Sequence, residues 1–352
     1  MARRLRVQFP GAIYHVMNRG DRRETIFHDD TDREQFTNTL ADACGKTAWK
    51  IQVFCLMPNH FHIVVETPLP NLVDGMKWFL GTYSARFNRR RKLAGHVFSG
   101  RYKSLLVGGE GGYLRTVCDY VHLNPARGNL LAQDQPLRSY RWSSFPLYLL
   151  PTAQRPDWLS VGRLLGEWGI PRDNPSGRQL FEQALEARRM QEQEDEFGHI
   201  RHDWCLGSPE FRQRILEEMG NGFGAHHYGQ EVQESAEAKA NRIVNAELLN
   251  VGWTERDLAE RRKGDVHKVR IARRLRAETT MTLKWIADRL HMGTSTHLGH
   301  LLYWQRRRDL EKINSQHGRD DGANLSILGT DPKLDKSTIL GTDPYLFDPT
   351  FN

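Results

Sequence analysis

Two apolar runs, Ile51 to Met57 and His60 to Glu66, are separated only by Pro58-Asn59, a pair with turn chemistry. The second run is rich in β-branched residues. A chain that reverses this abruptly forms a β-hairpin, and the rest of the first 130 residues must be built around it. Upstream, Ala12 to Asn18 reads as a strand broken by Arg19-Gly20-Asp21. A helix should follow, with Thr31 and Glu34 as a capping box and Phe36, Leu40 and Cys44 near helical spacing until Gly45.

Downstream, Leu72, Met76, Phe79, Tyr83 and Phe87 mark a long helix ending in Arg89-Arg90-Arg91-Lys92. Arg101 to Val107 reads as a strand, Gly108 to Gly112 as a loop, and Tyr113 to Asn124 as a helix stopped by Pro125. The order β-α-β-β-α-β, plus one helix, predicts an α+β domain of split βαβ, ferredoxin-like type: an antiparallel sheet with helices on one face. Such a fold hosts many functions and selects none of them.

From Leu131 to about Ser235 the pattern weakens, with Pro-rich turns and the acidic run Glu192, Glu194, Asp195 and Glu196. Residues 149–235 therefore read as a loosely packed, partly helical connector after a first domain over 1–148. From Ala236 the pattern is all helix: Ile243 to Leu249, Thr254 to Glu260, Val266 to Leu275, Thr282 to Leu290 and Ser295 to about Ile313. The last two, separated by His291-Met-Gly-Thr, have helix-turn-helix spacing. Leu283, Ile286, Ala287, Leu290, Leu298, Leu301 and Leu302 would form a small core, and Thr294, Ser295, Thr296, His297 and His300 would lie where base edges are read. An all-α DNA-binding domain over 236–314 is the expectation, a helical bundle without a ligand its rival. The tail, 315–352, repeats Ile-Leu-Gly-Thr-Asp-Pro and is too polar to bury much surface, which predicts disorder.

Charge sharpens this division. The net charge of +7 resolves into +8 over residues 1–130, −5 over 131–235, +7 over 236–314 and −3 beyond. Two basic modules flanking an acidic stretch suit a polyanion held at two places. No apolar run approaches the ~18–20 residues that span a bilayer, and the basic N-terminus does not lead into a signal-peptide core. A cytoplasmic protein without membrane contact is expected. Four scattered cysteines without a C-x-x-C pair suggest neither a zinc ribbon nor a disulfide framework.

Among residues with chemical potential, His60 and His62 alternate on one face of a strand, where two imidazoles could share a divalent ion. Alone, the pair reads first as hydrogen-bonded histidines on a half-exposed sheet. Tyr120 and Asn124 lie one turn apart on the last helix of the domain; alone they fit a core tyrosine and a helix-ending asparagine. A histidine-triad hydrolase would want a further histidine at position 64, which is Val64.

Four segments taken together are more specific: M-P-N-H-F-H-I-V-V-E at 57–66, G-R-Y-K-S at 100–104, D-Y-V-H-L-N-P-A-R at 119–127 and R-W-S-S at 141–144. Over roughly residues 8–148 the chain resembles the REP-associated tyrosine transposases, relatives of the insertion-sequence transposases with an HUH motif and one nucleophilic tyrosine. The resemblance implies that His60 and His62 are the HUH histidines around Phe61, that Tyr120 is the nucleophile, and that Asn124 is a third metal ligand where insertion-sequence relatives tend to have Gln. It also implies an HUH domain that cuts single-stranded DNA at hairpin-forming, palindromic repeats through a 5′-phosphotyrosine, and it leaves a homodimer open.

That chemistry suits the residue types. A phenol of pKa about 10 is a weak nucleophile. Mg²⁺ or Mn²⁺ would help, and both tolerate an incomplete protein cage. Arg101 and Lys103, and the run Arg89, Arg90, Arg91 and Lys92, are candidate phosphate contacts. Tyr14, Tyr83, Tyr102 and Tyr113 are rival nucleophiles, but only Tyr120 combines the family motif with a polar partner one turn away. The competing function is a non-catalytic DNA-binding repressor or architectural protein that kept the basic surfaces after losing cleavage.

Overall fold

The computed structural model describes residues 7–191, 197, 200, 203–220 and 236–320. The chain forms two compact units, Met1–Gln233 and Glu234–Asn352. In the first unit the strands are β1 (Ala12–Arg19), β2 (Lys50–Met57), β3 (His60–Thr67), β4 (Lys103–Val107) and the short β5 (Cys205–Leu206). Its longer helices are α1 (Asp30–Thr47), α2 (Leu72–Arg91) and α3 (Tyr113–Arg127). After these come α4 (Phe145–Tyr148), α5 (Gly162–Glu167), α6 (Pro175–Met190) and α7 (Pro209–Gly220).

The sheet order is β2-β3-β1-β4-β5. The first four strands pair antiparallel, and β5 adds to β4 in parallel. The βαββαβ order read from the sequence is present. One expectation is corrected, because helices cover both faces of the sheet. Phe61 packs against Phe36 of α1 and Phe79 of α2, at 5.0 and 6.4 Å between ring centroids. Its neighbour His62 points the opposite way and meets Tyr120 of α3 at 5.6 Å. Alternation along a strand makes those two faces different, so α1 and α2 lie on one side and α3 on the other. This two-sided cover explains why β2 and β3 are buried almost throughout.

Two local readings also change. Asp29, not Thr31, caps α1: its carboxylate accepts from the Asp32 backbone N–H at 3.0 Å, and the helix passes through Gly45 to Thr47. Pro125 does not stop α3, which continues to Arg127 with the proline inside it. A proline there removes one backbone donor of the last turns, which Gly128 closes with an N–H bond of 2.8 Å to the Asn124 carbonyl.

The stretch that reads as a loose connector is packed. Leu159, Leu164, Leu165, Ile170, Phe181 and Leu185 join the same buried cluster as the sheet. The polar run had masked apolar residues at helical spacing on α6, Phe181 and Leu185 among them. The outer edge of β2 is covered too. Leu56 N–H bonds the Trp142 carbonyl at 2.9 Å, Ser144 N–H the Phe54 carbonyl at 2.9 Å, and Ile51 exchanges backbone bonds with Trp158 and Ser160 at 3.0 and 2.7 Å. The R-W-S-S segment is thus an edge cover, a structural role its residue types had not announced. The acidic run 192–196 lies outside the described residues.

The second unit holds α8 (Ala236–Val251), α9 (Glu255–Glu260), α10 (Val266–Glu278), α11 (Leu283–Arg289) and α12 (Ser295–Asp320). Ile286, Ala287, Leu290 and Leu298 are buried in its core, with Leu283, Leu301 and Leu302 packed against it. The turn between α11 and α12 uses two positive φ angles, at His291 and Gly293. Lys268 is fully buried, and its ammonium donates to the carbonyls of Leu258, Arg261 and His291 at 2.6, 3.0 and 3.4 Å. One cation therefore ties the end of α9 to the α11–α12 turn. Residues 315–320, assigned to the tail, continue α12; the remainder of the tail lies outside the described residues. Among the described residues no helix is long and apolar enough to cross a membrane.

Two arginines of the run at the end of α2 form an internal clamp. Arg90 bonds both Asp29 oxygens at 2.8 and 2.9 Å and also reaches Asp32; Arg91 bonds Asp29 and Asp32, each at 2.6 Å. The Arg90 hydrogen bond, with help from the Asp32 N–H and both arginine charges, holds the Asp29 carboxyl well below the usual carboxylate range. A lowered folded-state pKa means that this contribution is present at neutral pH and is lost as pH falls through the carboxylate range. Asp32 is the enclosed member. Asp32→Ala is expected to lower unfolding free energy by about 2–3 kcal/mol in urea titrations, below the ~3–5 kcal/mol of a fully enclosed pair, because both guanidinium groups still reach solvent.

Candidate active site

β3 supplies the site's two paired histidines because Phe61 is anchored between them. With that ring in the α1–α2 core, His60 and His62 emerge on the α3 side, 5.1 Å apart between centroids and nearly perpendicular. α3 then brings Tyr120 down edge-on to His62, at 5.6 Å and 85°. The phenol is buried, only 6% exposed.

A third imidazole, not anticipated from sequence, completes the cluster. His15 of β1 is buried, its ring 5.1 Å from that of His62 and 5.7 Å from that of Tyr120. His15 Nε2 and His62 Nδ1 are 2.9 Å apart. The signal was available in principle: β1 is the central strand paired with β3, and His15 alternates with Tyr14 and Val16. Without the strand order, nothing placed it beside the H-x-H pair. Arg127 was also missed. It lies two turns after Tyr120 on the same helix face, and its guanidinium sits over the rings of Tyr120 and Phe197 at 4.6 and 4.9 Å. Phe197 itself contacts Tyr120 at 5.4 Å; no motif pointed to it.

Burial sets the electrostatics. It pushes His60 down to about 4, with help from the Arg19 charge, and His15 also to about 4. His62 is driven well down by burial first, then by His15, His60, Arg127 and Arg19. All three rings are neutral near physiological pH, the form in which imidazole can donate a lone pair.

The donor set fits a divalent ion in part. His60 Nδ1 bonds Asn59 Oδ1 at 2.7 Å and His62 Nδ1 meets His15, so these bonds leave the Nε2 atom of each as its ligand position, with the second nitrogen held as metal-binding histidines usually are. Asn124 is buried one turn beyond Tyr120, and its amide nitrogen donates to the Tyr120 carbonyl at 2.9 Å. That bond leaves Oδ1 as its ligand atom. Among the described residues no three His, Cys, Asp or Glu side chains form a metal-binding group.

The remaining candidates separate by geometry. Lys103 is exposed and sits opposite Met17, which is opposite His62 on the other side. Residues directly opposite share a face, so Lys103 is on the histidine face; Arg101 is exposed just before the strand. Arg90 and Arg91 are engaged with Asp29 and Asp32, so part of their charge is balanced within the fold. Arg89 and Lys92 remain on the surface. Of the rival tyrosines, Tyr14 donates to the Val7 carbonyl at 2.8 Å and Tyr83 to the Ile26 carbonyl at 2.6 Å; Tyr102 is buried, and Tyr113 is half-buried at the start of α3. In the second unit Thr294, Thr296, His297 and His300 are exposed and Ser295 half-exposed. Thr294 caps α12 through a 3.1 Å bond from His297 N–H, and His300 Nε2 accepts from Trp304 Nε1 at 2.7 Å.

Beside the nucleophile candidate, Asp119 is 3% exposed. Burial pushes its carboxyl up to about 7 despite the Trp168 Nε1 bond and the charges of Arg115 and Arg188. With the folded pKa above the unfolded one, the stabilising contribution is complete below about pH 4 and is lost as pH rises through 7. Asp119→Asn keeps an acceptor for Trp168 and removes the buried charge. Denaturation at pH 8 is expected to show the variant more stable than the parent by as much as ~4 kcal/mol, at 1.36 kcal/mol per pKa unit, with the difference vanishing near pH 4.

Residues 8–124 match the family model described as transposase, IS200-like. Among solved structures, the chain is similar to a REP-associated tyrosine transposase bound to a REP hairpin, with 14% identity, 46% of this chain and 92% of that chain covered, and a TM-score of 0.37. No curated protein matches the chain.

Proposed function

From residues 8–124 as a domain of the IS200-like transposase family, we propose that this chain is an HUH-type single-stranded DNA endonuclease and strand transferase with Tyr120 as nucleophile. A DNA-processing, transposase-like role follows from the family. The observation that carries the finer reading is Tyr120, on the last helix of a ferredoxin-like domain, held edge-on to His62 at 5.6 Å.

Tyr120 Oη attacks the phosphorus of a phosphodiester in line. The new bond joins the phenolic oxygen to the 5′ phosphate; the bond to the 3′ oxygen breaks, the phenol gives up its proton and the departing 3′ oxygen gains one. Attack by a second 3′-OH reverses the step on another strand, so the energy of the cut bond is kept and no nucleotide triphosphate is needed. Arg127, over the Tyr120 ring, orients the phenol and adds positive charge where negative charge builds. His60 and His62, with Asn124, would hold Mg²⁺ or Mn²⁺. Such an ion would neutralise phosphate charge and favour phenolate. Lys103 and Arg101 would contact the strand's backbone, with Arg89 and Lys92 as outer contacts. Hairpin-forming palindromic repeats are the proposed substrate. The second unit would act as a helix-turn-helix domain, with Ser295, Thr296, His297 and His300 facing DNA and Thr294 serving as cap.

Incubation with Mn²⁺ and a hairpin-forming single strand is expected to give an SDS-resistant protein–DNA adduct. Tyr120→Phe should abolish it, and His62→Ala, which removes a ligand itself, should reduce it by at least the ~100-fold upper range for loss of an outer partner. Lys103→Ala should leave the adduct chemistry intact while lowering the slope of log binding constant against log salt by about 0.7, the value for one phosphate contact on a single strand. No adduct from the unaltered protein across varied hairpins and metals, with DNA binding retained, would establish a non-catalytic DNA-binding protein instead.

A further inference from the structure

His15 belongs to none of the four motifs, yet its side chain bonds directly to that of His62, 2.9 Å from Nε2 to Nδ1. An N–H···N bond between imidazoles requires one ring to bring the proton and the other the lone pair. Two arrangements satisfy it. If His15 Nε2 carries the proton, His62 Nδ1 accepts, and the neutral His62 ring must hold its own proton on Nε2. If His62 Nδ1 carries the proton, its Nε2 keeps a lone pair.

The companion histidine shows which arrangement the site uses. Asn59 donates through Nδ2 to the Arg23 carbonyl at 3.1 Å, so its oxygen is the atom facing His60 Nδ1 at 2.7 Å. An amide oxygen only accepts, and His60 therefore carries its proton on Nδ1 and its lone pair on Nε2. For both imidazoles to serve one ion, His62 must follow the same pattern.

We infer that His15 is a positioning residue for the metal site: its Nε2 accepts the Nδ1 proton of His62, fixing the tautomer and ring angle that leave the His62 Nε2 lone pair free for the ion. This rests on the metal-dependent reading of His60 and His62. It also separates His15 from the ligands, since the nitrogen nearest the pair is occupied by that bond. The placement suits the task. β1 lies between β3 and β4, so the acceptor is mounted on a strand paired along both edges, and the ring also abuts Tyr120. One side chain thereby sets the spacing of ligand and nucleophile.

The direct test is long-range ¹H–¹⁵N NMR of the histidine rings in the full-length chain before metal is added. A proton on His62 Nδ1 with an unprotonated Nε2 is expected; the opposite tautomer overturns the inference. Mn²⁺ titration calorimetry on variants supplies a second measurement. His15→Phe keeps a ring but no acceptor and should weaken Mn²⁺ binding by about 10–100-fold, while His15→Gln, whose amide oxygen can accept, should recover part of the loss. Equal losses in both variants would point to packing alone and overturn the assignment, as would unchanged affinity in His15→Phe. If the unaltered protein binds Mn²⁺ and forms the adduct but His62 has the other tautomer, only the His15 inference fails. If it binds no Mn²⁺, the metal-dependent reading fails and this inference with it. Should either variant not fold, the NMR result on the unaltered chain decides.

Discussion

The seating of Phe61 against Phe36 and Phe79 is the contact on which the candidate site depends. A strand offers its side chains alternately to two faces, and burying one large ring fixes that alternation for the whole of β3. The histidines on either side of it have no choice of direction. A register slip by one residue would drive two imidazoles into an aromatic core and put a phenyl ring where the polar groups of the site meet α3, a cost far beyond what a small domain tolerates. The apolar middle of H-F-H is therefore as necessary to the site as the polar ends.

Much of this was legible in the sequence because it is periodic or motif-borne. The hairpin at Pro58-Asn59, the helix of Leu72 to Phe87 and the placement of Tyr120 on a helix all follow from spacing and turn chemistry. What escaped was set by tertiary contacts. His15 is one of many alternating strand residues until β1 is known to pair with β3. The arginines of α2 look like a phosphate-binding patch until Asp29 and Asp32, some sixty residues earlier in the chain, close on them. Pro125 reads as a stop, but α3 is buried along most of its length, and packing outweighs the single backbone bond a proline forfeits.

The two units illustrate different ways of handling charge. In the first, carboxylate and guanidinium groups at the α1 start and α2 end pair with each other, while Lys103 stands exposed on the histidine face. In the second, the ammonium of Lys268 is taken fully inside. Three backbone carbonyls accept from it, among them that of His291 in the α11–α12 turn. Burial lowers its pKa, with Asp265 acting against that, so the cation is held by dipoles at the ends of short helices.

The cover on the outer edge of β2 sets where this protein can be shortened. Because backbone groups of Trp142, Ser144, Trp158 and Ser160 complete that strand's hydrogen bonds, a fragment ending after α3 would present a long apolar strand with open N–H and C=O groups. Such an edge invites a second copy to pair with it, and the fragment would be driven toward intermolecular sheet and insolubility. The smallest well-behaved piece must therefore extend past residue 160, well beyond the segment that carries the H-x-H pair and Tyr120.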